Sequence, residues 1–295
     1  MKLALALAAT LVSTAACGID TADPAAALGG TTDPTGTTDP TDPTMGTHPG
    51  GAPGGGTLPV TEVSGRISAN TTWKDAIHIT ATVTIDANVT VTVMPGTIVD
   101  VATAANVTVN GTLDILGTKT GKVIFESATA GLYWGDTRIP RGGTLKASYL
   151  VQAGGGISVG PGGSVTVVNS RMSHAGGDFL VMSGGTLDVS YSTFGVDPGQ
   201  TDTTHCDLHV SGPVTLKVTH SNISSVPYGI MFYGGTAADF TYNNWFGNSI
   251  DIDTNVAYPV SGNFSFGYFA KGAPTRAGLT ATNLATAPLV DAGPQ

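Results

Sequence analysis

Polar residues recur at a nearly constant interval through the second half of the chain, and this repeat limits the available folds more than any other feature. They are Ser148, Ser170, Ser192, Ser221 and Asn243, at successive spacings of 22, 22, 29 and 22 residues. Apolar residues keep step with them, three positions earlier at Leu145, Val167, Val189, Val218 and Phe240, and two positions later at Leu150, Met172, Phe194, Ile223 and Trp245. A third apolar column follows at Ile157, Phe179, Leu208, Ile230 and Ile252. A period of roughly 20–30 residues made of short strands is typical of a β-solenoid, whose coils stack because one coil cannot bury its apolar face alone.

The recurring serines and the asparagine form a structural ladder in this interpretation. Coils stack at about 4.8 Å, so equivalent Ser or Asn side chains can hydrogen-bond along the stack. Such bonds satisfy polar groups at a bend that would otherwise be buried without partners. The ladder therefore receives no catalytic role.

Composition agrees with stacked short strands and excludes some partners. The chain has 41 glycines, and charged residues make up only 11% of it. No helix-forming segment with a 3.6-residue period follows residue 20. The net charge is −9 and no cluster of Lys or Arg exists, so a nucleic-acid partner is not expected, nor is nonspecific attraction to anionic lipid.

The first residues are typical of an export signal. Lys2 precedes an apolar run over residues 3–12, which is too short to span a bilayer. The run ends in Ser-Thr-Ala-Ala-Cys-Gly at residues 13–18. This junction resembles the lipobox of bacterial lipoproteins, although that family usually has Leu where this chain has Thr14.

The lipoprotein resemblance implies that residues 1–17 are a signal peptide with a lipobox and that Cys17 is diacylated. Several acyl chains anchor a protein stably, whereas one does not. The family retains proteins in the inner membrane when Asp follows the Cys; this chain has Gly18, which implies an outer-membrane or cell-surface lipoprotein. Ordinary cleavage at a small-residue site, giving a secreted protein, is the alternative.

Residues 18–57 are predicted to form a disordered linker. They repeat Thr-Asp-Pro, end in a Pro/Gly run, and contain no aromatic residue, no Lys and no Arg. Such a segment cannot bury enough apolar area to offset its ordering entropy. The folded domain is expected over residues 58–295.

Short strands broken by Asn-Gly, Pro-Gly and Gly turns fill the first part of that domain. A resemblance to the right-handed parallel β-helix proteins of bacterial surfaces, relatives of the pectate-lyase-like fold, rests on segments 65–73, 91–99, 109–118, 123–127, 242–248 and 287–293. It covers roughly residues 62–293 and implies an all-β, single-domain right-handed parallel β-helix with coils of about 22 residues. This group contains enzymes, adhesins and proteins without assigned activity, so the resemblance indicates fold rather than function.

The 29-residue coil carries an insertion of seven residues around residues 196–209, and such insertions often lie on a functional face. If Leu208 points inward, strand alternation places His205, Asp207 and His209 outward on one face. Column equivalence puts Asp178 one coil below Asp207. These four residues are weak candidates for a divalent cation; the alternative is a solvated polar face, and no metal or other cofactor is predicted.

Cys206 has no partner for a disulfide once Cys17 is acylated or removed. The alternation that turns Leu208 inward also turns Cys206 inward. The sequence therefore predicts a buried free thiol.

The residues near the insertion do not favour catalysis. Polysaccharide lyases of the family need a cation or an equivalent neutralising group, and a basic proton acceptor. Lys217 instead aligns with Asp188 and Asp239 as an exposed charge ladder worth well under ~1 kcal/mol per pair. Inverting glycosidases need carboxylates about 6.5–9.5 Å apart, whereas acids one coil apart are separated by about 5 Å.

No residue is assigned a catalytic role. We expect a cell-envelope lipoprotein that acts as a binding, adhesion or structural surface module. Its expected partners are the outer membrane, through the lipid anchor, and a polysaccharide or surface-protein ligand. The alternative is a carbohydrate-active enzyme, a lyase or a glycoside hydrolase, that uses the flank near residues 196–209.

Overall fold

The computed structural model describes residues 58–197, 199–235 and 237–295. The predicted signal peptide, Cys17 and the linker over residues 18–57 lie outside these ranges. The described residues contain strands and turns and no helix. Accordingly, the described part of the chain has no helix with the length and apolarity to cross a membrane.

The strands are short and follow one another closely. In chain order the first fourteen are β1 (Val60–Ile67), β2 (Thr71–Trp73), β3 (Ala76–Ile85), β4 (Thr90–Val93), β5 (Ile98–Val101), β6 (Val107–Val109), β7 (Thr112–Leu116), β8 (Val123–Ser127), β9 (Asp136–Ile139), β10 (Thr144–Ser148), β11 (Leu150–Ala153), β12 (Gly156–Val159), β13 (Ser164–Val168) and β14 (Arg171–Ser173). The others are β15 (Asp178–Met182), β16 (Gly185–Ser190), β17 (Thr193–Gly195), β18 (Cys206–Val210), β19 (Val214–Thr219), β20 (Asn222–Ser224), β21 (Tyr228–Phe232), β22 (Ala238–Asp239), β23 (Asn244–Phe246), β24 (Ile250–Asp253), β25 (Gly262–Asn263), β26 (Tyr268–Phe269) and β27 (Leu279–Thr280).

Each full coil supplies one strand to each of three parallel stacks. Stack A runs β2-β4-β7-β10-β13-β16-β19-β22-β25-β27. Stack B contains β5-β8-β11-β14-β17-β20-β23-β26, and stack C contains β6-β9-β12-β15-β18-β21-β24, with the long β3 pairing to the first strand of both. This arrangement is an all-β parallel β-helix, so the predicted fold class is confirmed.

Alternating side chains fill the space between the stacks with apolar groups. The later coils bury aromatic rings that stack from coil to coil, with ring centroids 4.6 Å apart for Phe240 and Phe264 and 5.6 Å apart for Trp245 and Phe269. All four side chains are buried. Burial of each such side chain contributes about 1.5–3 kcal/mol, so the stack is held together mainly by its interior.

The strand register places the coil of β10 and β11 two residues away from the predicted columns, so Leu145 pairs with Val165 rather than Val167. Thr144 pairs with Ser164, so Ser148 pairs with Val168 and the ladder residue Ser170 lies level with Leu150. The bend between stacks A and B has the same length in both coils, because the 20-residue offset is kept from Thr144 to Ala153. The physical reason is the next turn, which has two residues after β11 (154–155) and four after β14 (174–177). The polar ladder therefore begins at Ser170, and Ser148 lies two residues away from it.

The third apolar column shifts by one residue in the coil of β15. Ile157 pairs with Leu180, and Leu180 pairs with Leu208, so Leu180 rather than Phe179 belongs to the column. The turn after β14 spans residues 174–177, longer than the two-residue turn after β11. Both Phe179 and Leu180 are nevertheless fully buried.

Candidate functional site

In the polar ladder, side-chain oxygens accept hydrogen bonds from main-chain N–H groups of the neighbouring coil, rather than linking one hydroxyl to the next. Ser170 N donates to Ser192 Oγ at 3.1 Å, Ser192 N donates to Ser221 Oγ at 3.1 Å, and Ser221 N donates to Asn243 Oδ1 at 2.9 Å. Each of the three serine hydroxyls also donates to the carbonyl two residues earlier. These bonds pair buried polar groups at the bend between stacks A and B.

A carboxylate on stack C holds two histidines of the long coil. Asp178 Oδ1 lies 2.8 Å from His205 Nδ1, and Asp178 Oδ2 lies 2.6 Å from His209 Nδ1. Burial alone would raise the pKa of Asp178, but the hydrogen bonds from His209 and then His205 outweigh it and lower that pKa. The carboxylate is therefore ionised, and each imidazole turns its Nδ1 toward it.

Tyrosines of the next coils pack on these histidines. The ring centroids of His205 and Tyr228 are 5.1 Å apart, and those of His209 and Tyr233 are 5.6 Å apart. Tyr233 also stacks on Tyr258 at 6.1 Å, and its hydroxyl donates to Asp253 Oδ2. Three of the four predicted weak metal candidates are thus brought together, among aromatic rings that the sequence patterns did not single out.

Asp207 does not join them, which corrects the expectation that it faces outward. Asp207 is 0% exposed and lies level with Phe179 of one neighbouring coil and Gly229 of the other. Alternation fails here because Cys206, Asp207 and Leu208 are all buried in succession. The prediction for Asp207, made by strand alternation from the single inward residue Leu208, is therefore wrong.

Burial of the Asp207 carboxyl disfavours its charged form. Neither carboxylate oxygen has a well-formed hydrogen bond within the described residues. Burial raises the pKa of Asp207 well above its ordinary range, the charge of Asp202 raises it further, and the main chain of Ser224 offsets this only in part. Its neighbour Asp202 accepts hydrogen bonds through Oδ1 from His174 N and from Thr204 N and Oγ1, at 2.7–2.8 Å.

Cys206 is a buried free cysteine, as the sequence predicts. It pairs with Asp178 in one neighbouring coil and with Tyr228 in the other. Burial raises the pKa of the thiol, and the nearby charge of Asp178 raises it further. The thiol is therefore protonated and unreactive in the folded protein.

A groove of about 680 Å³ lies beside the insertion, at the corner between stacks B and C. Its walls are residues 199–202 of the insertion, the turn at residues 225–227, Phe246, Tyr268 and Pro288. None of the residues that line it is a lysine or an arginine. The groove thus combines hydroxyls, amides and aromatic rings in a volume that suits a small organic ligand.

The segment that includes Pro288 is fixed along the outside of the coils. Leu289 N donates to Asn244 Oδ1 at 2.8 Å, and Asn244 Nδ2 donates to the Leu289 carbonyl at 2.9 Å. Further along, Gly293 N donates to the His220 carbonyl at 2.9 Å. This segment, residues 288–295, gives the groove a fixed wall.

A pair of carboxyl groups at the other end of the helix was not found from the sequence. Asp100 of β5 pairs with Glu126 of β8, and their side chains share a hydrogen bond. Burial, followed by the charge of Asp100, raises the pKa of Glu126 to about 8. In the described part of the chain, no group of three or more His, Cys, Asp or Glu side chains is arranged to hold a metal ion.

Comparison of the chain with protein-family models, with curated proteins and with solved structures gives no match. The arguments for function therefore come from the geometry of the groove and its surroundings.

Proposed function

We propose that this protein is an exported, lipid-anchored module of the bacterial cell surface that binds a neutral saccharide in the groove beside the insertion. The anchor is the acylated Cys17, and the finer family assignment is the pectate-lyase-like group of parallel β-helices. The observation that carries the proposal is the lining of the groove, which is polar and aromatic without a basic side chain.

The chemistry of the lining suits an uncharged sugar. Phe246 and Tyr268 offer ring surfaces to the apolar face of a sugar, as aromatic residues do in many recognition sites. Ser225, Ser249 and Thr201 offer hydroxyls that can both donate and accept hydrogen bonds. Anionic sugars would be disfavoured, because no lysine or arginine lines the groove to neutralise them.

Calorimetry of the full chain against neutral and anionic oligosaccharides tests the groove. Tyr268→Ala should weaken binding of a neutral ligand by about tenfold, the loss of one well-packed contact of about 1.4 kcal/mol. Tyr242→Ala is the matched control, because Tyr242 is an exposed aromatic residue that does not line the groove. Unchanged affinity in Tyr268→Ala, or a preference for anionic sugars, contradicts the proposal.

Mass spectrometry tests the anchor separately. Protein extracted from membranes should carry an acylated Cys at the position of Cys17, and Cys17→Ser should release the protein from the membrane fraction. A mature chain that begins at Ala16 or Gly18 would instead support the secreted form.

The alternative function is a carbohydrate-active enzyme, and one observation favours it. Asp202 lines the groove, and Asp207 lies close enough for its pKa to be raised by the charge of Asp202. Two neighbouring carboxyl groups can act as an acid–base pair, but both of these side chains are buried. A polysaccharide-degradation screen decides this: activity that is abolished in Asp202→Asn and in Asp207→Asn favours the enzyme.

A further inference from the structure

The groove adjoins stack C, because one of its lining residues directly precedes the first residue of β21. Pro227 lines the groove, and the next residue, Tyr228, packs on His205. Tyr228 N also donates to the His205 carbonyl, at 3.2 Å. A ligand that leaves the groove past Pro227 therefore meets these two rings first.

Beyond that point lies a row of rings that we call the aromatic strip: His205, His209, Tyr228, Tyr233 and Tyr258. Each member contacts at least one other member through its ring or lies on the same strand face. His205 and His209 lie side by side, because both bind the Asp178 carboxylate through Nδ1. The strip crosses three coils.

Hydrogen bonds fix the rings in place before any ligand arrives. Asp178 holds both histidines through their Nδ1 atoms, and Asp253 holds the hydroxyl of Tyr233. Rings that are already ordered lose little conformational entropy on binding. The strip is also open to solvent, since the side chain of His205 is 44% exposed and Tyr258 is 48% exposed.

The charged side chains on and near this face form hydrogen bonds with other groups of the protein. The Asp178 and Asp253 carboxylates hold members of the strip, as described above. At the nearby end of the helix, Lys271 and Arg276 donate to the main-chain carbonyls of Ser249 and Asn255. The exposed groups of the strip that can contact a ligand are therefore ring surfaces and polar ring tips. The lining of the groove has similar chemistry.

We propose that the ligand is a long neutral polysaccharide chain that fills the groove with one part and lies across the aromatic strip with the next. The proposal rests on the proposed function and adds to it the length of the ligand and a second contact surface. Sugar rings that leave the groove stack on Tyr228 and His205 and then on the rings of His209, Tyr233 and Tyr258. The adjacency of the two surfaces and the aromatic rings that both present support one occupant for both.

The test is the dependence of affinity on chain length. The probes are linear oligosaccharides of two to eight units from β-1,4-linked glucose, β-1,4-linked N-acetylglucosamine and α-1,4-linked glucose, titrated into the full chain by calorimetry. In the series that binds, affinity should continue to rise after the groove is filled. Tyr258→Ala and Tyr228→Ala should each weaken the eight-unit ligand by about tenfold and leave the two-unit ligand within about twofold.

Tyr242→Ala serves as the matched control and should not change either affinity. Tyr268→Ala, in the groove, should weaken short and long ligands alike. If affinity stops rising once the groove is filled, or if the strip variants bind the eight-unit ligand as the wild type does, the strip is not a ligand surface although the groove still is. If no series binds and Tyr268→Ala changes nothing, the proposed function fails and this inference fails with it.

Discussion

The Glu126 and Asp100 carboxyl groups lie on adjacent strands of stack B and share a hydrogen bond, so one of the two must carry a proton. Burial raises the pKa of Glu126 from 4.5 to about 8. Between these two values, the folded state holds a proton that the unfolded state has released. Stability therefore falls as pH rises through this window, with a slope of up to about 1.4 kcal/mol per pH unit.

Glu126→Gln removes this proton uptake. We expect the wild type to lose about 1–3 kcal/mol relative to Glu126→Gln between pH 5 and pH 8, a range reduced from the full slope because the side chain is partly exposed. Urea titrations of both proteins at several pH values measure the difference. Parallel pH profiles for the two proteins would show that Glu126 has an ordinary pKa.

Ser192→Val should destabilise the fold by about 1–3 kcal/mol, because Ser170 N loses its acceptor and stays buried. Ser183→Val is the control, because Ser183 is exposed, and its cost should stay within about 0.5 kcal/mol. Thermal melts of both variants measure the two losses of stability. Equal melting temperatures would mean that the ladder contributes nothing to stability.

A chain that stops at Ala285 should unfold more easily, since it lacks the two hydrogen bonds between Leu289 and Asn244 and the cover over Asn244. We expect a loss of about 2–4 kcal/mol from two partly buried hydrogen bonds and one uncovered amide. Asn244→Ala in the full chain should give a large part of this loss. A truncated chain with the melting temperature of the full one would show that residues 288–295 are not held in solution.

Cys206 should react slowly with a thiol reagent in the native protein and rapidly after denaturation. The side chain is fully buried, and burial and then the charge of Asp178 raise its pKa. Stopped-flow labelling with and without denaturant measures the ratio of rates. Fast labelling under native conditions would require an open coil at β18.

The sequence predicted the stacked coils well because their period comes from side-chain burial, which repeats with each coil. The charge ladder is an example: Lys217 pairs with Asp188 and Asp239, as the column spacing predicts. The prediction for Ser148 is wrong because counting from one serine to the next cannot detect that the turn after β11 is shorter than the turn after β14.

The surroundings of the insertion were harder to predict. The burial of Asp207 depends on a local break in alternation, which leaves no trace in the spacing of polar and apolar residues. His209 and Tyr233 lie in coils whose 22-residue offset the column of Leu208 and Ile230 predicts, but that column does not give the orientation of their rings. A search for aromatic residues just outside the apolar columns, such as Tyr228 and Tyr233, would have found the strip.

The hydrogen bonds between residues 288–295 and earlier coils affect the order of folding. Gln295 N donates to Asn169 Oδ1, and the Tyr149 hydroxyl donates to the Gln295 carbonyl, across 126 and 146 residues of chain. Contacts so distant in sequence form late, because a long loop must close before they are gained. Neighbouring coils can therefore stack before residues 288–295 close this side of the helix.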